Sequence, residues 1–244
     1  METEHIVNAF NELLGRMRTL DESRQEFVSN VSHELKTPIT SMKVLADSLI
    51  SQEDVPIELY KEFMTDIAEE IERENKIITD LLSLVKMDKT SANLNIENRN
   101  LNELIELILK RLRPIAKQRN IDVLYESARE VFAEIDEVKL TLAISNLVEN
   151  AIKYNKEYGY VKVSLDADHQ FATIMVEDNG IGIPEEAQEH IFERFYRVDK
   201  SHSREIGGTG LGLAIARNAI LLHRGSIKID SEEGQGTVFT VKIP

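Results

Sequence analysis

Residues 57–85 read IELYKEFMTDIAEEIERENKIITDLLSLV, and the spacing of the apolar side chains in this stretch decides the fold of the N-terminal part. Ile57, Tyr60, Met64, Ile67, Ile71, Ile78, Leu81 and Val85 recur at alternating steps of three and four, a heptad seam that only Glu74 interrupts. An earlier seam runs through Phe10, Leu14 and Met17 and, after a polar gap, through Val28, Val31, Leu35, Met42, Leu45 and Leu49. Both stretches are rich in helix formers, so two long helices are predicted, with the acidic, proline-containing segment Ser51 to Pro56 as the turn between them. A hairpin with this much apolar face cannot bury it alone. Two copies are expected to meet as a four-helix bundle, which makes the chain a homodimer through the hairpin.

The composition changes at Lys89 to Asn95, a polar connector of small residues that serves as the expected domain boundary. Beyond it, helical stretches at Leu101 to Lys117 and Glu137 to Lys153 alternate with strand-like segments at Ile121 to Tyr125, Tyr160 to Leu165, Ala172 to Glu177, Ser226 to Asp230 and Thr237 to Ile243. The predicted architecture is therefore an α-helical hairpin followed by a mixed α/β domain in which a sheet is layered with helices. A length of 244 residues suits two such domains.

The bulk chemistry narrows the function. A net charge of −14 without any basic run would repel a phosphate backbone, so nucleic acid is not an expected partner. The absence of cysteine excludes disulfides, thiol catalysis and cysteine-held zinc, and fits a reducing, cytoplasmic setting. No apolar run reaches the roughly 20 residues needed to cross a bilayer, and the N-terminus has no signal-peptide pattern, so the fragment is expected to be soluble.

Four strings carry chemistry. In Ser32-His33-Glu34-Leu35-Lys36-Thr37-Pro38, the ring of His33 stands about 200° of helix rotation from the seam residues Val31 and Leu35, hence toward solvent. An exposed neutral imidazole is a nucleophile near neutral pH, and Glu34 beside it can take the proton from one ring nitrogen. Thr37, one turn on, shares the histidine's face, and Pro38 removes a helical hydrogen bond just below it. In Asn146-Leu147-Val148-Glu149-Asn150, two carboxamides one turn apart offer oxygens suited to Mg²⁺, with Lys153 adding positive charge on about the same face and Tyr154 following it. Asp178-Asn179-Gly180-Ile181-Gly182-Ile183-Pro184 follows a strand. Its glycines permit close backbone approach, and Asp178 can accept a hydrogen bond from an exocyclic amine such as that of adenine. Gly207-Gly208-Thr209-Gly210-Leu211-Gly212-Leu213 opens an apolar helix, where backbone N–H groups can cradle phosphates. It fits neither the P-loop nor the dinucleotide glycine pattern. Each string by itself has a bland reading as a solvated helix face or an ordinary glycine turn.

Together and in this order, the four strings resemble the H, N, G1 and G2 boxes of sensor histidine kinases. Phe192-Glu193-Arg194-Phe195-Tyr196-Arg197 resembles the family's F box, and Gly234-Gln235-Gly236-Thr237 its last glycine box. The resemblance implies a dimerising helical hairpin over residues 21–90 and an ATP-binding α/β sandwich over residues 96–244. Asn8-Ala9-Phe10-Asn11-Glu12-Leu13-Leu14, within residues 1–20, is similar to the tail of a HAMP signalling helix, which implies a membrane-anchored parent protein. It further implies that His33 is the phosphoacceptor, Glu34 its general base, and Thr37 the residue that orients water during dephosphorylation of the partner. By the same resemblance Asn150 would hold Mg²⁺, Asn146 assist at the phosphates, Lys153 contact phosphate, Tyr154 pack by the nucleotide, and Asp178 read the adenine amine, with Gly180 and Gly182 allowing close approach. Gly208, Thr209, Gly210, Leu211 and Gly212 would form the phosphate cradle, Arg197 would meet the γ-phosphate, and Asp199 to Gly207 would be a lid over ATP. The implied partner is the receiver domain of a response regulator. Arg224 departs from the pattern, because many relatives carry a second glycine after His223, and a glycine-specific backbone shape there is put in question. A nucleotide-binding scaffold without catalysis, or an ATPase driving a conformational cycle, would have no use for His33 on the hairpin.

Overall fold

The computed structural model describes residues 2–51, 55–89, 94–198 and 208–244. Residues 52–54 of the expected turn, 90–93 of the expected connector and the whole Asp199 to Gly207 segment lie outside the described residues. The chain divides into two compact units, Met1–Ile77 and Ile78–Pro244.

The first unit holds α1 (Glu2–Ile50) and the larger part of α2 (Ile57–Lys89). Both helices are as the two seams predict, and α1 carries Pro38 within it. The seam residues remain largely uncovered in the single chain: Met64 is 44% exposed and Ile71 45%. A second stripe of α2 behaves differently. Ile77, Asp80, Leu84 and Met87, at steps of three and four, are buried, and Leu84 and Met87 join the core of the second unit. The division between the units therefore falls inside α2, ahead of the compositional change at Lys89 to Asn95.

The second unit continues with β1 (Glu97–Asn100), α3 (Leu101–Gln118), β2 (Asp122–Ser127), β3 (Phe132–Ile135), α4 (Glu137–Lys153), β4 (Tyr160–Ala167), β5 (Ala172–Asp178) and the short α5 (Glu185–Gln188). It closes with α6 (Gly212–Leu222), β6 (Ser226–Glu232) and β7 (Gly236–Ile243). The main sheet has the order β2-β4-β5-β7-β6; β2 and β4 run parallel and the other neighbours antiparallel. Alternate residues Val161, Val163, Leu165, Ile174, Val176, Phe239 and Val241 form one core with α3, α4 and α6, so the unit is a sheet with a helical layer. α3 shows why these residues make a helix that docks. Leu101, Leu104, Ile105, Ile108, Leu109, Leu112 and Ala116 form one buried stripe, and the Asn100 side chain caps its start by accepting from the N–H groups of Asn102 and Glu103. β1 and β3 form a separate two-stranded ribbon that the sequence reading did not include.

α4 is fixed at its start by a buried relay. Asp136 caps the helix by accepting from Lys139 N–H at 3.1 Å, while its own N–H donates to His223 Nε2 at 2.9 Å. His223 Nδ1 meets the Ala219 carbonyl at 2.7 Å, so this ring is the neutral tautomer with its proton on Nδ1. The relay ties α4 to α6, the two helices that carry most of the site described next.

Candidate functional site

In the first unit, His33 lies on the exposed side of α1, as its offset from Val31 and Leu35 predicts; Val31, Glu34 and Leu35 are half-buried. Thr37 is exposed on the same helix face, and its hydroxyl donates to the His33 carbonyl at 3.1 Å. Pro38 is buried. This cluster therefore presents an imidazole and, one turn away, a hydroxyl on a rigid helical surface.

In the second unit, the remaining candidates converge on the ends of α4, β5 and α6. Asn146 is 9% exposed; its Nδ2 donates to the Leu142 carbonyl at 2.9 Å, which turns Oδ1 toward Gly212. A Cβ on Gly212 would stand 2.7 Å from that oxygen, so only glycine lets the start of α6 approach Asn146 this closely. Asn150 is half-buried on the next turn of α4, and its side chain has no hydrogen bond to another described residue. α4 ends at Tyr154, whose N–H donates to the Asn150 carbonyl and whose own carbonyl accepts from Ile181 N–H at 3.1 Å. That bond joins the end of α4 to the loop after β5. Lys153 Nζ stands 5.5 Å from the centre of the Tyr154 ring. Burial pushes the Tyr154 hydroxyl up, and the nearby Arg197 guanidinium partly offsets it.

Asp178 ends β5 and is 9% exposed. Desolvation raises its carboxyl to about 6, although the backbone N–H groups of Gly180 and Thr237 both donate to it. The Gly180 bond measures 2.9 Å. Thr237 faces Asp178 across the β5–β7 register and was quoted in the sequence only within the last glycine box.

The glycine string is held from several sides. A Cβ on Gly208 would lie 3.1 Å from the Tyr154 hydroxyl and 3.2 Å from Lys153 Nζ. Gly210 has φ +69° and accepts at its carbonyl from Phe195 N–H at 2.9 Å. Phe195 itself sits at φ 66°, a left-handed conformation that an aromatic residue adopts only where its surroundings impose it. The paired Phe195 and Gly210 backbones thus place Arg197 and the start of α6 at one end of the unit. Leu211 precedes α6 and gives it no side-chain cap, while its own N–H donates to the Thr209 hydroxyl at 3.2 Å; the uncapped first turn that follows is the kind of helix start that favours an anion. Gly182 is also left-handed at φ +68°, and a Cβ on it would stand 2.0 Å from the Glu232 carbonyl oxygen.

One residue of this cluster was missed in the sequence. Asp80, on α2 within the second unit, accepts from the Thr209 hydroxyl at 2.9 Å. An acid inside the stripe Ile77, Leu84, Met87 was the available signal.

Among the described residues no group of three or more His, Cys, Asp or Glu side chains is arranged to hold a metal. The uncommitted carboxamide oxygen of Asn150 is the donor that fits Mg²⁺, an ion that keeps most of its shell as water and phosphate oxygens.

A sheet covered by helices on one face, with an acid at a strand end, a carboxamide helix and a glycine-rich helix start gathered together, is the layout of a nucleotide-binding domain. The protein-family models agree. The His Kinase A (phospho-acceptor) domain matches residues 23–90, and the histidine kinase-, DNA gyrase B- and HSP90-like ATPase matches residues 135–244. The sensor histidine kinase WalK of Bacillus subtilis is 38% identical over 228 residues, and the sensor protein kinase WalK of Staphylococcus saprophyticus 41% identical over 227. Each alignment takes in 92% of this chain and 37% of the relative. Among solved structures, histidine kinase ThkA in complex with response regulator protein TrrA superimposes with a TM-score of 0.73 at 28% identity, over 90% of this chain and 61% of that one. Acinetobacter baumannii histidine kinase AdeS does so with a TM-score of 0.69 at 25% identity, over 86% of this chain and 96% of that one. The chain belongs to the sensor histidine kinase family, with the family's phosphoacceptor and ATPase-type domains. It spans about 37% of the length of these WalK relatives. Among the described residues no helix is long and apolar enough to cross a membrane.

Proposed function

We propose that the chain is the catalytic part of a two-component sensor that uses Mg²⁺-ATP to phosphorylate His33 and then passes the phosphoryl group to an aspartate of a response regulator's receiver domain. The observation that carries the reading is the pairing, within one family-matched chain, of an exposed His33 on a helix with the Asn146, Asp178 and glycine-loop cluster in the second unit. In this reading Glu34 takes a proton from the imidazole, and the other ring nitrogen attacks the γ-phosphorus as the bond to ADP breaks. Asn150 would hold Mg²⁺, which would supply neutralisation of phosphate charge. Lys153, Arg197 and the N–H groups of Gly208, Thr209, Gly210, Leu211 and Gly212 supply positive potential where charge develops. Tyr154 packs by the nucleotide, and Asp178 accepts from the adenine amine, with Gly180 and Gly182 keeping that wall open.

The domains in this proposal are the end of a HAMP-like helix over residues 1–20, the phosphotransfer hairpin over 21–90 and the catalytic domain over 96–244. The exposed seam through Met64 and Ile71 supports a dimer of hairpins, and the ThkA–TrrA complex supports a receiver domain as the acceptor. The similarity to sensor proteins supports a membrane-anchored parent. Thr37 next to His33 supports a second activity, hydrolysis of the phosphorylated partner. The test is incubation with γ-labelled ATP and Mg²⁺. We expect alkali-stable, acid-labile label on the wild type and none on His33→Gln, with nucleotide binding retained. Label on the variant would give the acceptor role to another residue.

A further inference from the structure

His223 is buried, at 7% exposure, and the proposed chemistry gives it no part. Its hydrogen bonds define its role. A backbone N–H can only donate and a carbonyl can only accept, so Nε2 takes the Asp136 N–H at 2.9 Å and Nδ1 donates to the Ala219 carbonyl at 2.7 Å. Asp136, 4% exposed, is itself firmly held. Its carboxylate accepts from Lys139 N–H at 3.1 Å, from Asn95 N–H at 3.1 Å and from Lys139 Nζ at 2.6 Å. The imidazole therefore pins the residue that closes α6 to a fixed helix start.

What this bond controls lies at the far ends of the same two helices. α4 and α6 run antiparallel: Asp136 at the start of α4 meets His223 at the end of α6, and Asn146 further along α4 meets Gly212 at the start of α6. Asp136 to Asn146 and Gly212 to His223 each span about 15–17 Å at a rise of about 1.5 Å per residue, so the two contacts are matched. Between them the helices share an apolar core that includes Ile144, Leu147, Ile215 and Ala219. Apolar burial has no direction and sets the spacing of two helices, whereas a hydrogen bond fixes where along the axis they meet. At Gly212 that axial position is exacting. A Cβ there would stand 2.7 Å from Asn146 Oδ1, so a slide of α6 by about one residue rise, roughly 1.5 Å, takes the gap away from the oxygen.

The adenine wall is built without α6. Asp178 is held by the N–H groups of Gly180 and Thr237, and the Tyr154 carbonyl by Ile181 N–H. α4 is tied separately to α3, where Arg111 donates to the Ser145 hydroxyl and Arg119 to the Lys153 carbonyl, each at 2.7 Å. An error in the setting of α6 therefore falls on the phosphate side of the site.

We propose that His223 is a positioning residue for the phosphates: by pinning the end of α6 to the start of α4 it sets the register that places the glycine-rich start of α6 against Asn146. The proposal rests on the nucleotide reading of the site. The working group is the ring's acceptor nitrogen rather than its bulk, because Asp136 N–H is the donor that defines the register.

The experiment is calorimetric titration of the full chain with adenosine, ADP and ATP in the presence of Mg²⁺, for wild type, His223→Leu and His223→Gln, with thermal unfolding of each. Leucine fills the site without an acceptor. Glutamine supplies an amide oxygen for the Asp136 N–H and an NH₂ for the Ala219 carbonyl. We expect His223→Leu to bind ATP about tenfold more weakly, ADP to lose part of that and adenosine to stay within about twofold, because a misplaced cradle acts on phosphates. His223→Gln should recover most of the ATP affinity. If His223→Leu is not folded at the titration temperature, His223→Phe takes its place as a ring without an acceptor. A lower melting temperature with unchanged affinities would make His223 a strut of the core, and an equal loss for all three ligands would make it a general support. ATP binding as weak in His223→Gln as in His223→Leu would assign the effect to the shape of the ring, and each of these three results overturns the proposal while leaving the nucleotide reading intact. A wild type that binds none of the three ligands would defeat the nucleotide reading, and the proposal with it.

Discussion

The two units of this chain solve opposite problems with the same apolar residue types. Among the described residues of the first unit only Pro38 and Ile77 are buried, while Phe10, Met17, Met64 and Ile71 stand 40% exposed or more. The second unit buries a continuous core, in which Ile105, Leu109, Ile144, Leu147, Val161 and Ile174 are all at 0% exposure. An apolar residue stabilises only when water is removed from it, at about 25 cal/mol per Å². The second unit therefore carries its stability within one chain. The first leaves much of its apolar surface open, and in the proposed dimer of hairpins a partner would cover it, which would make its order a function of concentration. Its chemistry differs in the same way: the candidate groups of the first unit are displayed on a helix, and those of the second are held by buried hydrogen bonds.

The sharpest way to break this comparison is to perturb both apolar surfaces. Ile144→Ala should cost about 2–5 kcal/mol of unfolding free energy, because it empties a fully buried site, and the loss should not depend on protein concentration. Ile71→Glu should leave the melting of the second unit unchanged and raise the dimer dissociation constant by at least tenfold, as read by analytical ultracentrifugation. A concentration-dependent effect of Ile144→Ala, or an undisturbed dimer in Ile71→Glu, would erase the distinction.

The next effect concerns a buried functional group that the second unit holds at a cost. Asp178 is raised to about 6 by desolvation, so the folded protein retains its proton at pH values where the unfolded chain has released it. Stability contributed by this group is present below its unfolded value and declines as pH rises through about 6. Asp178→Asn should therefore melt no lower than wild type at pH 7.5, with any advantage shrinking as pH falls through about 6 and vanishing only below the unfolded value of 3.8. It should nevertheless weaken ATP binding by about a hundredfold, because the charged acceptor for the adenine amine is replaced by a single amide oxygen for which the Gly180 and Thr237 N–H groups compete, beside an NH₂ that can only donate. In the wild type the same carboxylate takes up a proton as pH falls through about 6, which weakens it as an acceptor, so ATP affinity should fall there too. Lower stability of Asp178→Asn at pH 7.5 would make the residue structural.

How much of this was legible in the sequence follows from the same contrast. The five strands of the main sheet announce themselves by alternation, since one face of each is buried or, in β2 and β6, half-buried, and their segments are close to those read from the chain. β1 does not, because Glu97-Asn98-Arg99-Asn100 has no apolar alternation, and its partner β3 is only four residues long, too short for the alternation of Ala133 and Ile135 to stand out. The α2 seam was visible because the heptad is regular, yet its second stripe was not, since Ile77 and Leu84 each stand one position before a seam residue, Ile78 and Val85. Of the site, residue types and order could be read. The left-handed Phe195, the burial of Asp178 and the Asp80 contact could not, because each depends on which surfaces meet in three dimensions.

A smaller effect separates roles on the displayed surface of the first unit. The Thr37 hydroxyl already has a partner, the His33 carbonyl, so Thr37→Ala removes one exposed hydrogen bond and should leave the helix intact. Autophosphorylation should stay within about twofold, because attack by the imidazole does not use the hydroxyl. Hydrolysis of the phosphorylated partner should fall by about tenfold, through loss of an oriented water. Equal loss of both activities would reduce Thr37 to a support for the helix next to Pro38.

The smallest effect tests whether the second unit, for all its packing, still holds local strain. α6 ends in a Schellman motif: Gly225 N–H donates to the Ile220 carbonyl at 3.0 Å and Arg224 N–H to the Leu221 carbonyl at 2.9 Å. The residue in the left-handed position is Arg224, at φ 56°. The glycine-type backbone that the sequence put in question is thus kept, with arginine taking it on. α3 closes in the same way through Asn120 at φ 55°, and asparagine is the non-glycine residue that tolerates this region best. Gly225 cannot exchange roles with its neighbour, since a Cβ there would stand 2.5 Å from the Lys242 carbonyl. Left-handed arginine costs about 1–2 kcal/mol, and glycine returns part of that gain through the greater freedom of the unfolded chain. Arg224→Gly should therefore stabilise the second unit by about 0.5–1 kcal/mol, seen as a rise of about 1–4 °C in melting temperature. Arg224→Ala keeps the backbone cost and removes the exposed side chain, so it should be close to neutral. If alanine stabilises as much as glycine, the gain comes from the arginine side chain and the backbone is not the source of strain; if Arg224→Gly destabilises, the turn is held by contacts of Arg224 that outweigh its conformation.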